Sequence, residues 1–132
     1  MNLQRTLLIA VVAVVVVLGL GYAWGRAGRG ALESTATVAT QRVDLLDARG
    51  AILEARISLY NNNFGDASRH FEAAKAALQR LKGHYDEADD AAGAGRVDTA
   101  LRHVEEGQRL AGALDAAAQN AAAAALEALK TP

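Results

Sequence analysis

Twenty consecutive residues, Thr6 to Gly25, carry no charge, and from Leu7 to Leu20 (LLIAVVAVVVVLGL) every position is apolar except Gly19. At about 1.5 Å per residue, a helix of this length covers roughly 30 Å, the hydrocarbon thickness of a bilayer, where only a helix satisfies the backbone from within. The stretch predicts a membrane-spanning helix over residues 7–24, preceded by a short leader, residues 1–6. Two readings of it compete. A cleaved secretory signal takes Arg5 as its charged end and Gly21-Tyr22-Ala23 as its small-residue site. A retained signal anchor also explains the length of the apolar run and the position of Tyr22 and Trp24, aromatic residues that favour the bilayer interface. The anchor is preferred, and secretion after cleavage is the alternative. Arg5 on one side nearly balances Arg26 and Arg29 on the other, so orientation rests on the shortness of the leader: amino terminus in the cytoplasm, remainder outside it. Arg26 and Arg29, in a Gly/Arg neck of residues 25–30, are candidates for contact with lipid headgroups. Gly21 and Gly25 form a single small-xxx-small pair.

Residues 31–132 suffice for one small domain. They carry eleven Lys/Arg against fifteen Asp/Glu, a net charge near −4 that argues against a nucleic-acid partner, since phosphate binding needs a concentrated positive face. Cysteine is absent, which removes disulfides, zinc thiolates and thiol catalysis. The only proline is Pro132, and no period-two cluster of β-branched or aromatic residues follows Ala31, so the domain reads as all-α.

Apolar positions alternate at spacings of four and three along three segments. The first is Leu32, Ala36, Ala39, Val43, Leu46, Gly50, Leu53, Ile57 and Tyr60. A second runs from Phe64 through Phe71, Leu78 and Tyr85 to Ala92, and a third from Val97 through Val104 and Ala111 to Ala128. Seams that hold phase for several heptads predict long helices packed at shallow angles. Asn61-Asn62-Asn63 is suited to leave one helix through a left-handed residue and cap the next, with Asp66 in the new first turn. Ala94-Gly95 is expected to do the same before Val97. The expected domain is an antiparallel bundle of three long helices, about 31–60, 64–92 and 97–130. Ala fills eleven of the nineteen positions from Ala111 to Leu129; such a helix forms readily but buries little apolar area, so its end is expected to need a partner.

Shifted by 33 residues, the chain aligns with itself at Leu45/Leu78, Gly50/Gly83, Ala67/Ala100, Arg69-His70/Arg102-His103 and Glu72/Glu105, writing Ala-x-Arg-His-[Phe/Val]-Glu twice. Through this period and through Phe64-Gly65-Asp66-Ala67 followed by Phe71 and Ala74, residues 51–114 resemble tetratricopeptide helical repeats. The resemblance implies a protein-binding module with a concave groove, built as two helical pairs and a C-terminal capping helix. It departs from the pattern at Lys82-Gly83, where a repeat boundary belongs but the seam continues from Leu81 to Tyr85.

His70, His84 and His103 lack the i, i+4 spacing of a helical metal site and read as residues on helix edges, and Asp86, Glu87, Asp89 and Asp90 lack the oxygen pattern of a calcium loop. No serine lies in a nucleophile elbow, and no phosphate loop follows a strand. No enzyme activity, metal or cofactor is expected. The expected function is that of a single-pass, membrane-anchored scaffold or adaptor for protein–protein interaction at the cell envelope. Its partners are the lipid bilayer and either another envelope protein or a second copy joined through the Ala-rich seam. The alternative is a ligand-sensing or carrier module in which Tyr60, Phe64, Phe71 and Tyr85 line a pocket or partner surface.

Overall fold

The computed structural model describes residues 3–130, with side chains for residues 14–18 and 35–130. Four helices occur among them: α1 (Leu3–Tyr60), α2 (Phe64–Glu87), α3 (Ala91–Gly112) and α4 (Ala118–Ala128). Two compact units divide the chain, Met1–Val38 and Ala39–Pro132, and α1 contributes to both. In the first unit the helix continues through residues 25–30, the expected neck, and Val14–Leu18 are exposed helical residues. Among the described residues no helix is long and apolar enough to cross a membrane. Most of the expected span, and the side chains of Tyr22, Trp24, Arg26 and Arg29, lie outside the residues whose side chains are described.

The second unit is held by three turns of one design. Asn62, Asp89 and Leu114 adopt positive φ angles of 56°, 54° and 58°. The next residue in each case, Asn63, Asp90 or Asp115, donates its N–H back to the carbonyl of Ser58, Tyr85 or Leu110 at 2.8–2.9 Å, the long bond of a Schellman ending. In the first two turns that same residue also caps the following helix, Asn63 accepting from the Asp66 N–H and Asp90 from the Gly93 N–H, whereas Asp115 accepts from the Ala117 N–H ahead of α4, whose N-cap Ala117 has no side-chain bond. The first turn falls where the asparagines place it. The second lies at Glu87–Asp90 instead of Ala94-Gly95, because Asp90 supplies a capping carboxylate that Ala94 lacks. The third divides the expected third helix in two.

Four helices therefore replace the expected three. Cross-helix pairs show them antiparallel in sequence order. Lys82 meets Asp98, Lys75 meets Glu105 and Gln108 meets Glu72 between α2 and α3; Arg80 meets Asp44 between α2 and α1; Arg49 meets the Leu129 carbonyl and Arg56 meets Gln119 between α1 and the α4 end. The Ala-rich end thus finds its partner within the chain: Ala118, Ala121, Ala122 and Ala125 are buried in the same unit. One apolar cluster joins all four helices, with Ile52, Phe71, Leu78, Leu81, Val97 and Val104 its largest fully buried members. Close approach of α2 to α3 depends on Gly107, where a Cβ would stand 2.7 Å from the Phe71 ring. The doubled motif keeps one pattern in both helices: Ala67 and Ala100 are buried, as are Phe71 and Val104, while Arg69 and Arg102 are exposed.

On α1 the expected seam is displaced. The buried row is Asp44, Ala48, Ile52, Ala55 and Leu59, whereas Val43, Leu46, Gly50, Leu53, Ile57 and Tyr60 are all exposed. At 3.6 residues per turn the two rows lie on roughly opposite sides of the helix. The inward row joins the cluster that holds Ala100 and Ala111 of α3 and Ala118, Ala122 and Ala125 of α4.

Candidate interaction surface

Among the described residues of the second unit, the exposed large hydrophobic side chains are the outward row of α1 and Leu114. Leu53 is 48% exposed, Ile57 56%, Leu46 64% and Tyr60 80%, far above the values near zero of the inward row. The fold fixes which way it faces. Buried Asp44 accepts from Arg80 Nε at 2.8 Å and lies 3.2 Å from His84 Nε2, both on α2. Farther along, Arg49 donates to the Leu129 carbonyl oxygen, Arg56 donates to Gln119, and the Gln119 amide donates to the Arg56 carbonyl at 2.9 Å. These contacts hold one side of α1 on the bundle, and the apolar row is turned away. Leu53, Ile57 and Tyr60 bound a shallow apolar groove at its carboxyl end.

The four aromatics of the expected pocket are distributed across the fold. Tyr60 belongs to the exposed row, and Phe64 borders a separate open groove with Ser68, Gln108 and Leu114. Phe71 is wholly buried against Gly107, and the Tyr85 ring packs on Gly93, where a Cβ would lie 2.5 Å from it. No groove described is lined by more than one of the four.

Several polar groups serve the helix interfaces. Asp44, with Arg80 and His84, joins α1 to α2, an arrangement the sequence reading missed although Arg80 and His84 stand at i, i+4. Lys82 joins α2 to α3; its hydrogen bond to Asp98 at 2.7 Å holds the ammonium above its ordinary pKa. Glu106 is held below the usual carboxylate range by its hydrogen bonds from Arg109. His70 and His103 are half-buried helix-edge residues. Among the described residues no group of three His, Asp or Glu converges as a metal site would require.

The chain matches no protein-family model, no curated protein and no solved structure. The surface therefore stands on its own geometry: an apolar row from Val43 to Tyr60, about two and a half heptads, on a helix whose other side is fixed.

Proposed function

We propose that this chain is a membrane-anchored helical scaffold that mediates protein–protein interaction at the cell envelope. The uncharged run from Thr6 to Gly25 serves as a retained single-pass anchor, and the helical unit stands outside the cytoplasm with Arg26 and Arg29 near the headgroups. One observation carries the reading. Large apolar residues Val43, Leu46, Leu53, Ile57 and Tyr60 occupy the exposed side of α1 at heptad spacing while its other side is taken up by the bundle, so the helix keeps an apolar row free for a partner. No residue needs a catalytic role.

The test uses the full chain in membranes, with a photoreactive residue at Leu46 on the exposed row or at Gln79, an exposed position on α2. The protein remains with the membrane through alkaline and high-salt washes, and Leu46 yields a discrete protein adduct that Gln79 does not. Equal labelling at both positions, or none at Leu46, overturns the interaction reading; a shortened soluble chain beginning near Trp24 overturns the anchor.

A further inference from the structure

We infer that the partner of the exposed row is a second copy of this chain, joined through α1 in a parallel, in-register two-stranded coiled coil. The inference deepens the scaffold reading and rests on it. Along the row, Val43, Gly50 and Ile57 fall at one heptad position (a) and Leu46, Leu53 and Tyr60 at the other (d). Val43 and Ile57 at a, with Leu46 and Leu53 at d, follow the combination that favours two parallel strands over higher assemblies, and Gly50 and Tyr60 depart from it. The inward row of the same helix, Asp44, Ala48, Ile52, Ala55 and Leu59, is already occupied by the bundle, so only the outward seam can meet a copy.

The flanking charges choose the orientation. Preceding each a position stand Arg42, Arg49 and Arg56; following the d positions Leu46 and Leu53 stand Asp47 and Glu54. In a parallel pair each flanking residue before a faces the residue five positions later on the other helix, so Arg42 meets Asp47 and Arg49 meets Glu54 of the second copy. In an antiparallel pair Arg would face Arg and acid would face acid, a like-charge arrangement that opposes association. Arg42, Asp47 and Glu54 are exposed. Asp47 also lies 3.8 Å from Arg80 within its own chain, and Arg49 keeps donors for Glu54 while it serves the Leu129 carbonyl. A parallel pair is also the arrangement open to two chains anchored at their amino ends in one bilayer.

Because the chain has no cysteine, single substitutions report the register directly. In membranes holding the full chain, Leu46→Cys and Leu53→Cys each form a disulfide-linked dimer with themselves, and Gln79→Cys does not. Asp47→Lys and Arg42→Glu each weaken dimerisation by about tenfold, two symmetric pairs being altered per dimer, and the double reversal Arg42→Glu with Asp47→Lys restores it. Restoration separates the intermolecular pair from Arg80, which Arg42→Glu does not repair. Self-crosslinking at both positions with charge-swap rescue sustains the inference. Crosslinking of Leu46→Cys only to a different protein overturns it and leaves the scaffold reading standing; dimers without rescue overturn the parallel register; absence of any adduct at Leu46 or Leu53 overturns both readings.

Discussion

Two glycines on adjacent helices give opposite responses to the same substitution, and the difference isolates one packing contact. Gly83 lies on the exposed side of α2 with nothing within 4 Å of where a Cβ would stand, and its φ is not positive. Gly83→Ala therefore keeps only the gain in helix propensity, about 0.5–1 kcal/mol. Gly107 is buried in α3, and its Cβ would lie 2.7, 2.8 and 3.3 Å from atoms of the Phe71 ring. Phe71 is wholly buried, so its ring has no solvent to move into. Overpacking of this kind costs about 1–3 kcal/mol. The propensity gain is common to both substitutions and cancels between them, leaving Gly107→Ala below Gly83→Ala by about 1–3 kcal/mol. For a unit of this size each kcal/mol moves the melting midpoint by roughly 4–8 °C. Circular dichroism melts of residues 31–132 carrying each substitution measure the difference. Gly83→Ala melts above the parent and Gly107→Ala at least about 4 °C below Gly83→Ala. Midpoints that coincide refute the tight contact between α2 and α3; a lower midpoint for Gly83→Ala refutes an unbroken α2 at that position and returns weight to a helical-repeat boundary there.

Further substitutions test other parts of the fold. Val104→Asp unfolds the domain because it places a charge at a wholly buried position, whereas Leu53→Asp, on the exposed row, leaves the melt within about 0.5 kcal/mol of the parent. Asp44→Asn destabilises by about 1–3 kcal/mol in denaturant titrations, since it weakens the charged hydrogen bonds from Arg80 and His84 that join α1 to α2. Leu114→Asn raises stability by up to about 1 kcal/mol, because Leu114 is exposed and holds a left-handed conformation that asparagine tolerates better; a loss instead would show that the Leu114 side chain contributes to packing.

The helical class, the first turn and the seam of α2 were legible because they depend on local chemistry. Asn62 takes the left-handed position and Asn63 the cap, and Ala67, Phe71, Ala74, Leu78 and Leu81 are buried as their spacing requires. The division between α3 and α4 was not. Alanine satisfies both helix and seam on either side of residues 113–117, and the only local signals, Gly112 and Asp115, are outweighed by that composition. The inward row of α1 was missed for a different reason. Periodicity finds the row with the larger side chains, but which row turns inward is decided by what the other helices offer. Here α4 contributes Ala118, Ala122 and Ala125 and α3 contributes Ala100 and Ala111 to the cluster that takes up Ala48, Ile52, Ala55 and Leu59 of α1. The repeat of 33 residues likewise records matching faces on α2 and α3, since the positive-φ turn residues 62, 89 and 114 do not recur at that period.

In the proposed pairing, the exposed row also sets how strongly two copies hold together. Full burial of a large apolar side chain contributes about 1.5–3 kcal/mol, and Val43, Leu46, Leu53, Ile57 and Tyr60 are 48–80% exposed, so about half or more of that burial is still to gain. Five such positions give roughly 4–7 kcal/mol per chain, or about 8–14 kcal/mol per pair. Lost translational and rotational freedom opposes this with about 4–15 kcal/mol. The two quantities are of similar size, so the row by itself supports an association that depends on concentration. With the proposed anchor, confinement of both chains to one bilayer would raise their effective concentration without adding any contact. Residues 31–132 alone therefore dimerise weakly in analytical ultracentrifugation, and the full chain in vesicles dimerises at far lower protein-to-lipid ratios, with Leu53→Asp abolishing both. Equal dimerisation with and without residues 1–30 would show that the row suffices and that the anchor contributes nothing to assembly.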